Sequence, residues 1–127
     1  MRYNLNTPIK IYFYNSNREV ELFGTTFTDE PRNIFYANWQ EDYGQQLTQN
    51  QQMGFSQTAT LKIRFIKELY NILVQKKVII SKNCNEIINA DGRINYNNPS
   101  AFVLIGGASL IDNNFISLRV RRMLSND

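Results

Sequence analysis

The sequence predicts a mainly β fold, namely a small antiparallel β-barrel or sandwich of six to seven strands with one long loop and at most one or two short helices. Three observations lead to this prediction. Short segments in which apolar and polar residues alternate recur along the chain, as they do in half-buried strands. Turn-forming residues separate these segments. The one segment with helical spacing is only about two turns long, which limits the helical content.

The first part of the chain predicts three strands. Residues 8–15, PIKIYFYN, alternate like a half-buried strand that is entered by a proline. Residues 19–28, EVELFGTTFT, predict a second short strand that ends near Thr28. Residues 32–41, RNIFYANWQE, are dense in β-formers and predict a strand with an aromatic core face. The expected core faces are Ile9, Ile11 and Phe13 in the first strand and Phe35, Ala37 and Trp39 in the third.

The second part of the chain contributes the remaining elements. Residues 59–66, ATLKIRFI, show the cleanest alternation, with Leu61, Ile63 and Phe65 inward. Ile66, Leu69, Tyr70 and Leu73 have helical spacing, which predicts a short helix over residues 67–75. It leads into a strand over residues 76–81, KKVIIS. Residues 89–99 are rich in turn formers, with a hairpin turn at Asp91-Gly92. Residues 100–109 predict a buried strand that Gly106-Gly107 stops, and residues 114–124 predict a closing strand.

These strand phases predict the core. It should consist mainly of the following side chains: Ile9, Ile11, Phe13, Trp39, Leu61, Ile63, Phe65, Val103, Ile105, Leu118 and Val120. A chain of 127 residues can bury one core of modest size, so we expect a single domain over residues 1–127.

Charge and composition narrow the classes of function. The formal net charge of +3 is too weak for a protein that saturates phosphates, although it permits passing contact with DNA. One cysteine, Cys84, forms no intrachain disulfide, and we interpret it as a structural or incidental thiol in a reducing compartment. Neither a secretion signal nor an apolar stretch of membrane-spanning length is present, which predicts a soluble protein with no membrane partner.

The sequence lacks the residue patterns of the familiar catalytic sites. It contains no histidine, which excludes Ser-His-Asp and Cys-His arrangements and the usual zinc sites. Neither a P-loop nor a dinucleotide fingerprint is present. We interpret the adjacent acidic pairs, Asp29-Glu30 and Glu41-Asp42, as solvated loop charges, because neighbouring side chains on an extended chain point in opposite directions. The sequence therefore predicts a protein that is not an enzyme and has no cofactor or metal.

A long uncharged segment separates the third and fourth predicted strands. Residues 43–60 hold no charged residue, and six of these eighteen positions are glutamine. Long loops in compact domains are usually functional or disordered. The segment can be a surface loop without a role, a polar tract prone to aggregation, or an interaction loop. In the interaction loop, Leu47, Met53 and Phe55 would serve as spaced apolar anchors that pack against other copies or line a channel.

The order of elements resembles the small head–tail joining proteins of long-tailed bacteriophages, also called head-completion or stopper proteins. The resemblance covers nearly the whole chain as a pattern of elements. An opening strand (IKIYFYN) precedes an aromatic strand containing Ala37-Asn38-Trp39, a long polar loop and a returning strand (ATLKIRF). The VII and FVLIGGAS strands and a basic closing strand (ISLRVRRM) follow. The chain departs from the family pattern at residues 83–98, where extra Asn-rich residues appear.

This resemblance implies a ring, typically dodecameric, that sits beneath the portal and adaptor proteins and above a tail terminator or tail protein. Double-stranded DNA passes through such a ring, which lies at the head–tail interface of the virion after assembly in the host cytoplasm. In some members the long loop closes the channel. The matching plug residues are Gly44, Gln45, Gln46, Leu47, Gln49, Asn50, Gln51, Gln52, Met53, Gly54, Phe55 and Gln57.

The composition of this segment suits a gate on physical grounds. Lysine or arginine would bind phosphates and impede ejection of the DNA, and acidic residues would repel the duplex. Neutral amides can hydrogen-bond to one another around a ring and release when displaced. We therefore hypothesise that symmetry-related copies of residues 44–57 meet at the channel axis.

Basic residues on two strands allow two interpretations. They either discourage aggregation through strand edges or contact acidic residues of a neighbouring subunit or ring, or the DNA. These residues are Lys62, Arg64, Arg119, Arg121 and Arg122.

Other functions remain open. The chain can be another part of the same neck, either a tail terminator or the portal-binding adaptor, a class that is mainly helical. It can also be a small barrel that binds single-stranded nucleic acid. That barrel would use Tyr12, Tyr14 and Tyr36 as stacking platforms, flanked by Lys10 and Arg32.

Overall fold

The computed structural model describes residues 3–24, 33–42 and 57–123, which form seven strands and one helix. The strands are β1 (Thr7–Tyr14), β2 (Val20–Leu22), β3 (Phe35–Asp42), β4 (Thr58–Arg64), β5 (Val78–Lys82), β6 (Ala101–Ile111) and β7 (Phe115–Arg122), and the helix is α1 (Lys67–Gln75). The Asp29-Glu30 pair, Arg32 and the plug residues 44–55 lie outside the described residues. The predicted mainly β fold with a short helix is confirmed.

Six of the strands close into an antiparallel barrel. The hydrogen-bonded order is β2-β1-β3-β4-β7-β6-β5, and β1 also pairs with β5, which closes every strand except β2 into the barrel. One edge of β1 is shared, because β3 pairs with its first three residues and β2 with its last three. The sequence left barrel and sandwich open, and the pairing of β1 with β5 decides for the barrel.

Alternating strands fill the interior of the barrel as predicted. Ile9, Ile11, Leu61, Leu118 and Val120 are at most 1% exposed and belong to one hydrophobic cluster. Ile63 lies in the same cluster, and Phe13 and Trp39 are half-buried against it. Strands β4 and β7 bury every second residue over residues 59–63 and 116–120, because their other face is at least partly solvated.

Helix α1 closes one end of the barrel. Its Leu69 and Leu73 are buried in the barrel cluster, and the Tyr70 amide donates to the Ile66 carbonyl over 2.9 Å at its first turn. It follows the last residue of β4, so it lies at the opposite end from the connection over residues 43–57. The helix has nine residues, and among the described residues no helix has the length and apolar character needed to cross a membrane.

The prediction that Phe65 faces the core is wrong. Its side chain is 38% exposed, because the alternation of β4 ends one residue earlier, where Arg64 pairs with Phe115. The Phe65 amide donates to the Asn114 carbonyl over 2.9 Å, and the chain then turns into α1. Ile66 packs against the core in its place.

Two predictions for β6 are also wrong. The strand continues through Gly106-Gly107 to Ile111, and the pair lies in an irregularity between Ile105 and Ser109 where three residues of β6 face one residue of β7. Gly106 has φ +68°, a left-handed conformation that glycine adopts without strain. Ile105 pairs with Arg119 on the outward face and is only half-buried, whereas the core position is taken by Phe102.

A second cluster covers the outside of the barrel at β1, β5 and β6. We call it the outer cluster: Tyr12, Ile79, Ile87, Ile94, Ala101, Val103 and Met123. Ile87 and Ile94 come from the Asn-rich connection between β5 and β6, which folds back on itself through an Ile88–Ile94 bridge. The Asp91-Gly92 turn is confirmed, since Gly92 has φ +85° and the Asn89 amide donates to the Arg93 carbonyl over 2.7 Å.

Burial of Tyr12 predicts a loss of stability at alkaline pH. Burial raises the pKa of its phenol above the ordinary value of 10.0, and the negative charges of Glu86 and Cys84 raise it further. The unfolded chain then loses this proton at a lower pH than the folded chain. The contribution of Tyr12 to stability should thus be intact below about pH 10 and be lost as the pH rises through the folded pKa. Urea unfolding of Tyr12→Phe should show a smaller alkaline loss than wild type. Tyr36→Phe, at a 55% exposed tyrosine, is the matched control and should behave like wild type.

Candidate functional site at the mouth of the barrel

The uncharged connection leaves the barrel from a paired stem. Strands β3 and β4 remain in register up to the Asp42–Thr58 pair, so residues 43–57 join two neighbouring strand ends. Strands β5 and β7 also end here, and β1 and β6 begin here. We call this end of the barrel the mouth. Of the predicted plug residues, only Gln57 is among the described residues.

A buried carboxylate lies at the mouth. Glu41 Oε1 accepts from Lys82 Nζ over 2.6 Å, and Glu41 Oε2 accepts from Gln57 Nε2 over 2.6 Å. The Glu41 side chain is only 10% exposed, and that of Lys82 is 28% exposed. The interpretation of Glu41 as a solvated loop charge is therefore wrong. Glu41 continues the inward phase of Phe35, Ala37 and Trp39 along β3, which places its side chain in the barrel end.

An aromatic pair forms the floor beneath this carboxylate. The Trp39 and Phe102 ring centroids are 4.8 Å apart at an interplanar angle of 78°. The Lys82 ammonium lies 5.0 Å from the centroid of the Trp39 ring, a cation–π distance. Phe102 is 1% exposed and Trp39 is half-buried. The floor therefore connects the polar groups of the mouth to the hydrophobic core.

Arg122 completes the circle of contacts. It pairs with Phe102 across β6 and β7, and paired residues of antiparallel strands lie on the same face, so Arg122 is on the inward side. The Arg122 backbone amide donates to the Gln57 carbonyl over 2.9 Å, and Gln57 is the residue whose side chain binds Glu41. The residues joined in this way are called the mouth cluster: Trp39, Glu41, Gln57, Lys82, Phe102 and Arg122.

The other predicted basic residues lie together on the outside. Lys62 and Arg64 on β4 adjoin Arg119 and Arg121 on β7, where Thr60 pairs with Arg119 and Thr58 with Arg121. We call these four residues the basic wall. Arg119 is exposed, and Arg121 is half-buried with Nη1 donating to the Arg122 carbonyl over 3.2 Å.

The N-terminal segment and the start of β7 contact the β4 side of the basic wall. The Lys62 ammonium lies 5.6 Å from the Tyr3 ring centroid, and the Arg64 guanidinium carbon lies 5.8 Å from the Phe115 ring centroid. Tyr3 and Phe115 also meet edge to face, with centroids 5.1 Å apart. These two cations are therefore held along the outer surface.

Sequence reasoning missed Glu41 and Lys82 as members of the site. A signal was present, because Glu41 continues the alternation of β3, and Lys82 continues that of Val78 and Ile80 in β5. What sequence alone could not show is that both strands end at the same rim of a closed barrel.

The tyrosines proposed for stacking nucleic-acid bases are not equally available. Tyr12 is 6% exposed within the outer cluster, so its proposed role as a stacking platform is wrong. Tyr14 is half-buried, with the Lys77 ammonium 5.3 Å from its ring centroid, and burial raises its pKa. Tyr36 is 55% exposed.

The described residues offer no constellation for a metal. Over residues 3–24, 33–42 and 57–123, no three His, Cys, Asp or Glu side chains come close enough to hold an ion. Cys84 is half-buried, and burial raises the pKa of its thiol.

Comparison of the chain with protein-family models gives no match, and comparisons with curated proteins and with solved structures give no significant match.

Proposed function

We propose that this protein is a non-catalytic subunit of the ring that joins the DNA-filled head of a long-tailed bacteriophage to its tail. The resemblance in the order of elements suggests this function, and a small closed β-barrel is compatible with it. The observation that carries the proposal is the origin of the uncharged connection. Residues 43–57 leave from one rim of the barrel, between two strands that stay paired up to that rim.

Contacts with the barrel fix both ends of the uncharged connection, which suits a loop whose function depends on where it is held. The bond between Gln57 and Glu41 and the ion pair to Lys82 hold both roots of the connection against the barrel. In a ring whose subunits direct this rim toward the axis, symmetry brings copies of the connection together. Neutral amides at that place would touch DNA without retaining it.

The basic wall supplies a surface for the remaining contacts of such a subunit. Its four cations lie on two adjacent strands and on the outward face of the barrel, away from the core. Acidic residues of a neighbouring ring or subunit, or the DNA backbone, are complementary to this surface. The modest net charge of +3 fits contacts that are few and local.

Deletion of residues 45–52 tests the plug hypothesis. Seven residues would still join Asp42 to Thr58, which are register partners, so the barrel should fold and rings should assemble. Particles that carry this deletion should lose packaged DNA, as measured by nuclease sensitivity after head completion. Electron microscopy of the purified necks would verify ring assembly. Intact rings that retain all of their DNA would contradict the plug role.

Charge reversal on the basic wall tests the joining function. Each lost charge-assisted contact costs about 1.5–3 kcal/mol of binding free energy. The double variant Arg119→Glu with Arg121→Glu should therefore lower the affinity of the subunit for its head or tail partner by roughly 100-fold or more. Heads and tails should then accumulate separately, and the infectious titre should fall. The matched control is Arg18→Glu with Arg93→Glu, which makes the same change in charge at two exposed arginines outside the wall. An unchanged titre for the wall variant would oppose the proposal.

The alternatives make different demands on the chain. A portal-binding adaptor is expected to be mainly helical, and this mainly β fold gives that alternative no support. A tail terminator should bind the tail tube protein and not the portal-side ring, which a binding assay with both proteins distinguishes. For binding of single-stranded nucleic acid, burial of Tyr12 leaves Tyr14 and Tyr36 as the stacking residues among the three proposed tyrosines. The affinity for an oligonucleotide should then fall strongly as the salt concentration rises.

A further inference from the structure

We propose that the mouth of the barrel is a binding site for a carboxylate, presented by an Asp or Glu side chain of a partner protein. This inference is drawn from the mouth cluster alone, and it does not depend on the phage function proposed above.

Two buried donors in the mouth cluster have no acceptor. Trp39 Nε1 and Arg122 Nε are both inaccessible to solvent and make no hydrogen bond within the protein. Buried polar atoms are almost always paired in folded proteins, so an unpaired donor indicates a water or a ligand at that place. Among the described residues the only other such atom is Asn38 Oδ1, an acceptor on a residue that pairs with Lys62 of the basic wall.

The two donors belong to one layer of the barrel end. Trp39 packs on Phe102, and Phe102 is the register partner of Arg122. The Lys82 ammonium lies over the same Trp39 ring at 5.0 Å. The indole N–H, the guanidinium N–H and the ammonium therefore belong to three residues that form this aromatic floor or adjoin it.

The charge of the mouth cluster favours an anion. It holds two cations, Lys82 and Arg122, and one carboxylate, Glu41. Both oxygens of Glu41 already accept short bonds, one from Lys82 and one from Gln57. The positive charge of Arg122 is thus not matched within the cluster, and an anionic acceptor would form charge-assisted bonds with it.

A carboxylate fits this site better than a phosphate of DNA. Since both donors are inaccessible to solvent, a ligand reaches them only where side chains at the rim move aside, and the tip of one side chain needs a smaller opening than a duplex, whose phosphates lie on a convex surface. A carboxylate at the tip of a side chain is planar and can accept two hydrogen bonds, which suits a site that offers one guanidinium donor and one indole donor.

The only tryptophan of the chain, Trp39, provides a direct probe. We expect titration with sodium acetate at constant ionic strength, balanced with chloride, to change the Trp39 emission in a saturable way. The affinity should be in the millimolar range, because acetate has few atoms. Arg122→Gln should weaken acetate binding at least about 10-fold, whereas Arg93→Gln, at an exposed arginine outside the cluster, should bind like wild type.

Thermal unfolding provides a second measurement, which also applies to Trp39→Phe, the variant that lacks the fluorescent tryptophan. Acetate should raise the melting temperature of wild type and Arg93→Gln, since a ligand of the folded state stabilises it, but not that of Trp39→Phe or Arg122→Gln. Circular dichroism would verify that each variant is folded. Equal responses in all four proteins, or no change in Trp39 emission, would overturn the proposal. Tighter binding of inorganic phosphate than of acetate at the same ionic strength would overturn the assignment of a carboxylate.

Discussion

Phe102→Ala should destabilise the folded protein by about 3–5 kcal/mol, because it removes a large buried ring and leaves a cavity that a closed barrel cannot fill by collapse. Phe102 is 1% exposed and joins the core to the mouth cluster through its contact with Trp39. For a domain of this size the melting temperature should fall by roughly 10–20 °C. Equilibrium unfolding in urea, followed by circular dichroism, measures the change.

Phe65→Ala is the matched control for this prediction. It makes the same chemical change at a side chain that is 38% exposed, beyond the last pair of β4. We expect a cost of less than about 1 kcal/mol there, because water already reaches the ring. Equal losses at the two positions would mean that the phases assigned to β4 and β6 are wrong.

Alternation in the sequence predicted the strands that have one solvated face. In β7, Ile116, Leu118 and Val120 are buried and Arg119 is exposed, as the pattern indicates. The basic wall was predictable for the same reason, since its members occupy the polar phase of β4 and β7. The strand propensities of the residues could not show which strands are neighbours in the sheet, because strand pairing depends on contacts between residues that are distant along the chain.

Alternation failed where both faces of a strand are covered. Residues 101–105 of β6 are all apolar, so the sequence does not show which of them face the barrel interior. Val103 is buried as predicted, in the outer cluster, whereas the prediction that Ile105 is a core residue was wrong, because Ile105 is only half-buried. The cover comes from the Asn-rich connection, whose three isoleucines, Ile87, Ile88 and Ile94, give no periodic signal.

The mouth cluster was only partly predictable. Gln57 and Arg122 were singled out from the sequence, but Glu41 was assigned to solvent because it sits next to Asp42. That assignment treated both acidic residues as loop, although the predicted strand over residues 32–41 included Glu41, and β3 extends through both of them. A strand that runs to the rim of a closed barrel can hold a charge at its end, provided that another strand supplies a partner, and here β5 supplies Lys82.

Lys82→Met should cost about 2–3 kcal/mol, since it leaves the Glu41 carboxylate, 10% exposed, with its bond from Gln57 but without its counter-ion. Glu41→Gln should cost less, about 1–2 kcal/mol, because the long Lys82 side chain, 28% exposed, can turn its ammonium toward water. Urea unfolding of both single variants measures these losses. Lys67→Met, at an exposed lysine on α1, is the matched control and should change stability by less than about 0.5 kcal/mol.

The double variant separates the ion pair from packing. With Glu41→Gln and Lys82→Met together neither member of the pair is charged, so the loss should be smaller than the sum of the single losses by about 1–3 kcal/mol. The difference should persist in high salt, because a largely buried pair is screened much less than an exposed one. Strict additivity would mean that Glu41 and Lys82 contribute independently and that the ion pair does not fasten the roots of the uncharged connection. A coupling of the expected size would instead show that β3 and β5 are tied across the mouth, at the place where that connection begins and ends.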